Sequence, residues 1–68
     1  MEVKELNGIE IGDTVRILVG PFKNRIRKVV KIEENAGAKN GWFTVDFGIE
    51  GQALFAGEEI QLIIDKRR

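Results

Sequence analysis

Six cations and two aromatic rings are the residues of this chain whose types and spacing could do chemistry. Arg16, Lys23, Arg25, Arg27, Lys28 and Lys31 fall between Thr14 and Ile32 with no acidic residue among them. Guanidinium and ammonium groups gathered on one wall neutralise phosphate oxygens, and each phosphate neutralised steepens the dependence of affinity on salt. Phe22 and Trp42 add rings on which a base could stack. The same wall suits an acidic protein partner. Without a partner it is a solvated strand face, paired across strands with Glu33, Glu34 or Asp46.

Little else in the chain can react. With no His and no Cys in 68 residues, the usual nucleophile–base pairs and thiolate metal sites cannot be built. Thr14 and Thr44 carry the only side-chain hydroxyls. Asp46 with Glu50, and Glu58 with Glu59, are carboxylate pairs beside turns, and they read as solubilising surface rather than an active site. No EF-hand-like spacing of oxygen ligands occurs, and the glycines match no nucleotide fingerprint. The expectation is a non-enzymatic protein with no cofactor and no metal.

Charge is segregated along the chain. The formal net charge is zero, yet residues 14–32 carry +6 while residues 1–13 carry −3 and 33–65 carry −6. A phosphate backbone responds to the local patch more than to the sum. The N-terminus, Met1 to Glu5, is acidic and lacks an apolar h-region, and no apolar run reaches the roughly 20 residues that span a bilayer. These features and the absence of Cys fit a cytoplasmic protein with no membrane partner.

The elements that must position these groups are short strands. β-branched and aromatic residues alternate between Gly, Asn and Asp punctuation. A first strand over 14–19 would turn Val15, Ile17 and Val19 to a core and Arg16 outward. Gly20-Pro21 breaks it. A second strand over 25–33 would place Ile26, Val30 and Ile32 on one face with Lys28, and Arg25, Arg27 and Lys31 on the other with Val29. Residues 33–41 read as a long polar loop at a mobile tip. A third strand over 42–47 sends Phe43, Val45 and Phe47 inward and Trp42 outward. A tight turn over 48–51, a fourth strand over 52–55, a single helical or 3-10 turn over 56–59 and a fifth strand over 60–64 complete the pattern. A helix over 53–65 has suitable apolar spacing, but Gly57 and the β-branched run from Ile60 favour strands. Leu18, Val29, Leu54 and Ile63 fall on nominally outer faces, as would suit a protein interface or a homo-oligomer.

The segment Gly12-Asp13-Thr14-Val15-Arg16-Ile17, then Gly20-Pro21-Phe22, then Val29-Val30-Lys31-Ile32, resembles the KOW motif of SH3-like barrels. Arg27 stands where that motif carries a glycine. The resemblance implies the first hairpin of a barrel that contacts RNA or a protein partner, as in NusG-type elongation factors and several ribosomal proteins. The chain is also similar to the electron-transport accessory group of SH3-like barrels, through Gly12-Asp13-Thr14-Val15-Arg16-Ile17 and Phe55-Ala56-Gly57-Glu58-Glu59-Ile60. That likeness implies a docking subunit without catalysis.

The expected molecule is thus one all-β domain over 1–68, a small five-stranded SH3-like barrel. Residues 1–10 would form an N-terminal extension and 65–68 a charged tail. It would contact nucleic acid or a ribonucleoprotein through a basic face made by the first two strands. The alternatives are docking on an acidic protein complex and a structural homo-oligomer.

Overall fold

A computed structural model describes residues 1–35 and 37–63 of the chain. Eight strands run in order: β1 (Glu2–Val3), β2 (Glu5–Leu6), β3 (Ile9–Glu10), β4 (Thr14–Ile17), β5 (Ile26–Asn35), β6 (Ala38–Asp46), β7 (Gln52–Ala56) and β8 (Ile60–Leu62). Three 3-10 turns, at Gly20–Phe22, Gly48–Glu50 and Gly57–Glu59, join the longer ones. The main sheet is antiparallel in the order β7-β6-β5-β4-β8. β5 is its spine, with β6 along one edge and both β4 and the short β1 along the other.

The all-β expectation holds, but the closed five-stranded barrel does not. Among the described residues the sheet is open. It ends at β7 on one side and at β8, paired with β4 alone, on the other. The five expected strands are all present, and three more precede them. Residues 1–10, read from the sequence as an extension, hold those three. Asn7 (φ 55°) and Gly8 (φ 86°) make the two-residue turn of the β2–β3 hairpin, since both central positions of a type I′ turn need positive φ. Ile9 of that hairpin enters the core and Leu6 packs against it.

The core lies under one face of the sheet. Val15, Ile17, Val29, Ile32, Phe43, Val45, Phe47, Phe55 and Ile60 fill it along with Ile9. The inward assignment of Phe43, Val45 and Phe47 is therefore right. Leu6 closes over Gly41, a buried residue in the left-handed region (φ 79°) where a Cβ would collide with Leu6 Cδ2 and sit 3.1 Å from Glu33 O. No side chain larger than hydrogen fits there without displacing Leu6.

Three boundaries differ from the sequence expectation. The first strand stops at Ile17, so Val19 is exposed rather than in the core. Its neighbour Leu18 instead donates its N–H to Glu59 O, 2.9 Å away. The loop over 33–41 is mostly strand: β5 runs to Asn35 and β6 starts at Ala38, with Glu33 opposite Trp42. The last strand is described to Leu62, and Ile63 N–H bonds to Thr14 O. Ala36, Ile64 and the tail 65–68 lie outside the described residues.

Candidate nucleic-acid interface

A β-bulge decides where the cations point. Val29 pairs with Val45 and Lys31 with Thr44, so Val30 is an extra residue with no partner of its own on β6. The extra residue resets the alternation. Val29 (0% exposed) and Ile32 (0%) both face the core although they are three residues apart, while Ile26 (44%) and Val30 (38%) face solvent. An unbroken alternation through 25–33 inverts the first half of the strand. The expectation that Ile26 and Val30 face inward, Val29 outward, and Arg25, Arg27 and Lys31 share one side is corrected accordingly. The backbone holds this arrangement from the other edge, since Gly12 N–H donates to Val29 O (2.8 Å) and Val29 N–H to Asp13 O (3.0 Å).

The six cations therefore form two groups. Arg16, Lys28 and Lys31 are exposed on the outer face of β4 and β5. Register places Lys28 opposite Thr14, and Arg16 opposite Ile26, so Arg16 and Lys28 are diagonal neighbours about 7–8 Å apart at the backbone. Lys31 lies farther along β5, opposite Thr44. Around these three the face carries Thr14, Thr44, Ile26, Val30 and, on β7, Leu54. Asp46 stands opposite Lys28, and Glu33 stands at the far end opposite Trp42. Asp46 Oδ1 also accepts the Gly48 N–H at 3.0 Å. Among the described residues none of Arg16, Lys28 and Lys31 makes an ion pair. Lys23 is exposed in the turn after Gly20–Phe22 and is likewise without an ion pair among the described residues.

Arg25, just before β5, and Arg27 on it belong to the second group, half-buried on the core side. Phe22 and Phe47 stack there with ring centroids 4.3 Å apart, and Phe55 follows at 6.3 Å from Phe47. The Arg25 guanidinium carbon lies 5.6 Å from the Phe22 ring, and that of Arg27 lies 5.8 Å from Phe47. Arg25 Nη1 also pairs with Glu50 Oε1 at 2.9 Å, and Arg27 Nη1 donates to Ile26 O at 2.8 Å. These two arginines cap an aromatic end of the core. The Glu50 pair is 40% and 48% exposed, so it contributes at most about 1 kcal/mol.

The aromatic candidates divide likewise. Phe22 is packed on the core between Phe47 and Arg25. Trp42 is half-buried on the face opposite Phe43, in register with Glu33 and Ala56. The arrangement thus offers three cations without an ion pair among the described residues, two hydroxyls and one indole on a single sheet face. Ile26, Val30 and Leu54, the apolar components of that face, were not picked out together by the sequence pattern. The signal for it was the three-residue spacing of Val29 and Ile32, which no regular strand can bury on one side.

One carboxyl is held below its ordinary range. Asn40 Nδ2 donates to Glu58 Oε1 at 3.1 Å and is the main cause, followed by a backbone N–H and the charge of Lys39. No helix among the described residues is long and apolar enough to cross a membrane. The chain matches no protein-family model, and no characterised protein or solved structure matches it either.

Proposed function

We propose that this protein is a non-enzymatic binding module of KOW-like, SH3-related plan. It contacts nucleic acid or a ribonucleoprotein through the outer face of β4 and β5. Arg16, Lys28 and Lys31 supply the phosphate contacts, and Trp42 is the stacking residue on that face. The observation that carries the reading is the unneutralised state of these three cations among the described residues, on a sheet face where Thr14 and Thr44 add hydroxyl donors. Lys23 extends the positive surface from the adjoining turn. Arg25, Arg27 and Phe22 support the aromatic end rather than the contact. The order of the five longer strands, with a 3-10 turn before the last, supports the SH3-related plan alongside the Gly12 to Phe22 motif.

A second reading, docking on an acidic protein, is favoured by Ile26, Val30 and Leu54 exposed among the cations. An interface with an apolar centre and charged surroundings has that composition. A titration of single-stranded RNA and duplex DNA at low salt tests the first reading. Binding that weakens steeply as salt rises supports it, and no detectable binding at low salt overturns it in favour of the protein partner.

A further inference from the structure

The free edge of β7 is built to pair with itself, and we infer that two copies of the chain join there about a two-fold axis through Leu54. Phe47 N–H donates to Gly51 O at 2.8 Å at the head of the β6–β7 hairpin. Bonded and non-bonded pairs alternate along an antiparallel ladder. The bonded pairs therefore recur at Val45 with Ala53 and Phe43 with Phe55, and the backbone groups of Gln52, Leu54 and Ala56 point away from β6. Among the described residues no strand meets them. Glu59 Oε1 accepts the Ala56 N–H at 2.9 Å, which leaves Leu54 and Gln52 with edge donors that are unpaired among the described residues.

Natural edges are protected by charge, proline, bulges or brevity. β7 has the sequence Gln-Ala-Leu-Phe-Ala and regular register, with none of the first three protections. β8, the opposite edge, is only three residues long. A second β7 laid antiparallel sets Leu54 against Leu54 and Gln52 against Ala56, giving about four hydrogen bonds. Within the five residues of β7 no charged side chain opposes another in that register. Leu54 is 55% exposed on the outer face, so the two leucines bury one another across the axis. A formal net charge of zero removes any overall repulsion between copies. An edge of five residues buries far less than the ~1,200 Å² of a standard stable interface, so the dimer is reversible and concentration-dependent. Its sheet runs continuously through both copies and carries two sets of Arg16, Lys28 and Lys31 on one side.

Sedimentation of the protein alone, from micromolar to near-millimolar concentration, tests this without any nucleic acid, so it is independent of the functional reading. The expected result is a monomer–dimer equilibrium. Leu54→Lys, which places like charges on the axis and disturbs no buried group, weakens it by about tenfold or more. Leu54→Cys supplies the chain's sole thiol and is captured as a dimer by a short bis-maleimide, whereas Ile26→Cys, two strands inside the sheet, is not. A monomer at every concentration, an assembly larger than a dimer, or a dimer indifferent to Leu54→Lys would each overturn the inference.

Discussion

Replacing Arg16, Lys28 and Lys31 together by alanine removes the outer-face cations and leaves the core side untouched, since all three are exposed. Affinity for single-stranded nucleic acid falls with log salt at a slope of roughly −0.7 per phosphate neutralised. Three contacts give a slope of about −2, so a fourfold rise in salt weakens binding by about 20-fold. Replacing Arg16 or Lys31 alone lowers the slope by about 0.7, and the triple variant leaves only the contribution of Lys23. Of the three, Lys28 faces Asp46 across the strand, so its removal changes the slope least. The contrasting variant is Arg25→Ala with Arg27→Ala. These groups are engaged by Glu50, Phe22 and Phe47, and their loss leaves the slope unchanged while lowering stability. Fluorescence anisotropy of a labelled single strand over a salt series measures both sets, and circular dichroism confirms that each variant is folded. The reasoning fails if the Arg25/Arg27 variant flattens the slope while the triple variant keeps it.

Gly41→Ala forces a left-handed alanine against Leu6 and Glu33 O, and should destabilise the fold by roughly 2–3 kcal/mol in urea titrations. Arg27→Ala loses the cation over Phe47 and the packing of its stem, about 1 kcal/mol, which a thermal melt reads as a drop of about 4–8 °C for a domain of this size. Glu58 titrates below an ordinary glutamate because Asn40 bonds its charged form; its stabilising effect is present above the unfolded value and is lost as pH falls through the lowered one. Carboxyl NMR should show its midpoint rise toward the ordinary value in Asn40→Ala. Leu54→Lys should weaken self-association by about tenfold or more with no loss of thermal stability beyond about 0.5 kcal/mol, because the side chain is exposed.

Much of the fold was legible because alternation and punctuation are local. Phe43, Val45 and Phe47 read inward because burial keeps a period of two from Gly41 to the turn after β6. The strand reading of residues 53–62 over a helical one stands, as does the 3-10 turn before β8. The misplacement of the cations has one physical cause. A β-bulge changes the phase of a strand by one residue and leaves composition untouched, so Arg25 and Arg27 were set beside Lys31 when Val30 separates them. The open sheet was hidden too, because closure depends on contacts between β7 and β8 that no local pattern encodes. The N-terminal strands had a local signal, Asn7-Gly8 between Leu6 and Ile9, obscured by the brevity and acidity of the strands it joins.

Six of the eleven acids are held by a backbone N–H or a polar side chain. Glu5 Oε2 accepts the Gly8 N–H, Asp13 Oδ2 the Glu10 N–H, Asp46 Oδ1 the Gly48 N–H and Glu59 Oε1 the Ala56 N–H, all at 2.8–3.0 Å. Each carboxylate satisfies a backbone donor that a tight turn leaves without a strand partner. Glu50 holds Arg25, and Glu58 is bonded by Asn40. The acids therefore close the turns between β2 and β3, β3 and β4, β6 and β7, and β7 and β8. The β4–β5 connection has no acid, and it carries Lys23. A carboxylate held by a backbone N–H in a turn is less free to reach an exposed cation, and of these only Asp46 stands opposite one, Lys28. The chain can thus be neutral in sum while Arg16, Lys28 and Lys31 make no ion pair among the described residues. It is this local field, rather than the net charge, that an approaching phosphate meets within a Debye length of about 8 Å at physiological salt.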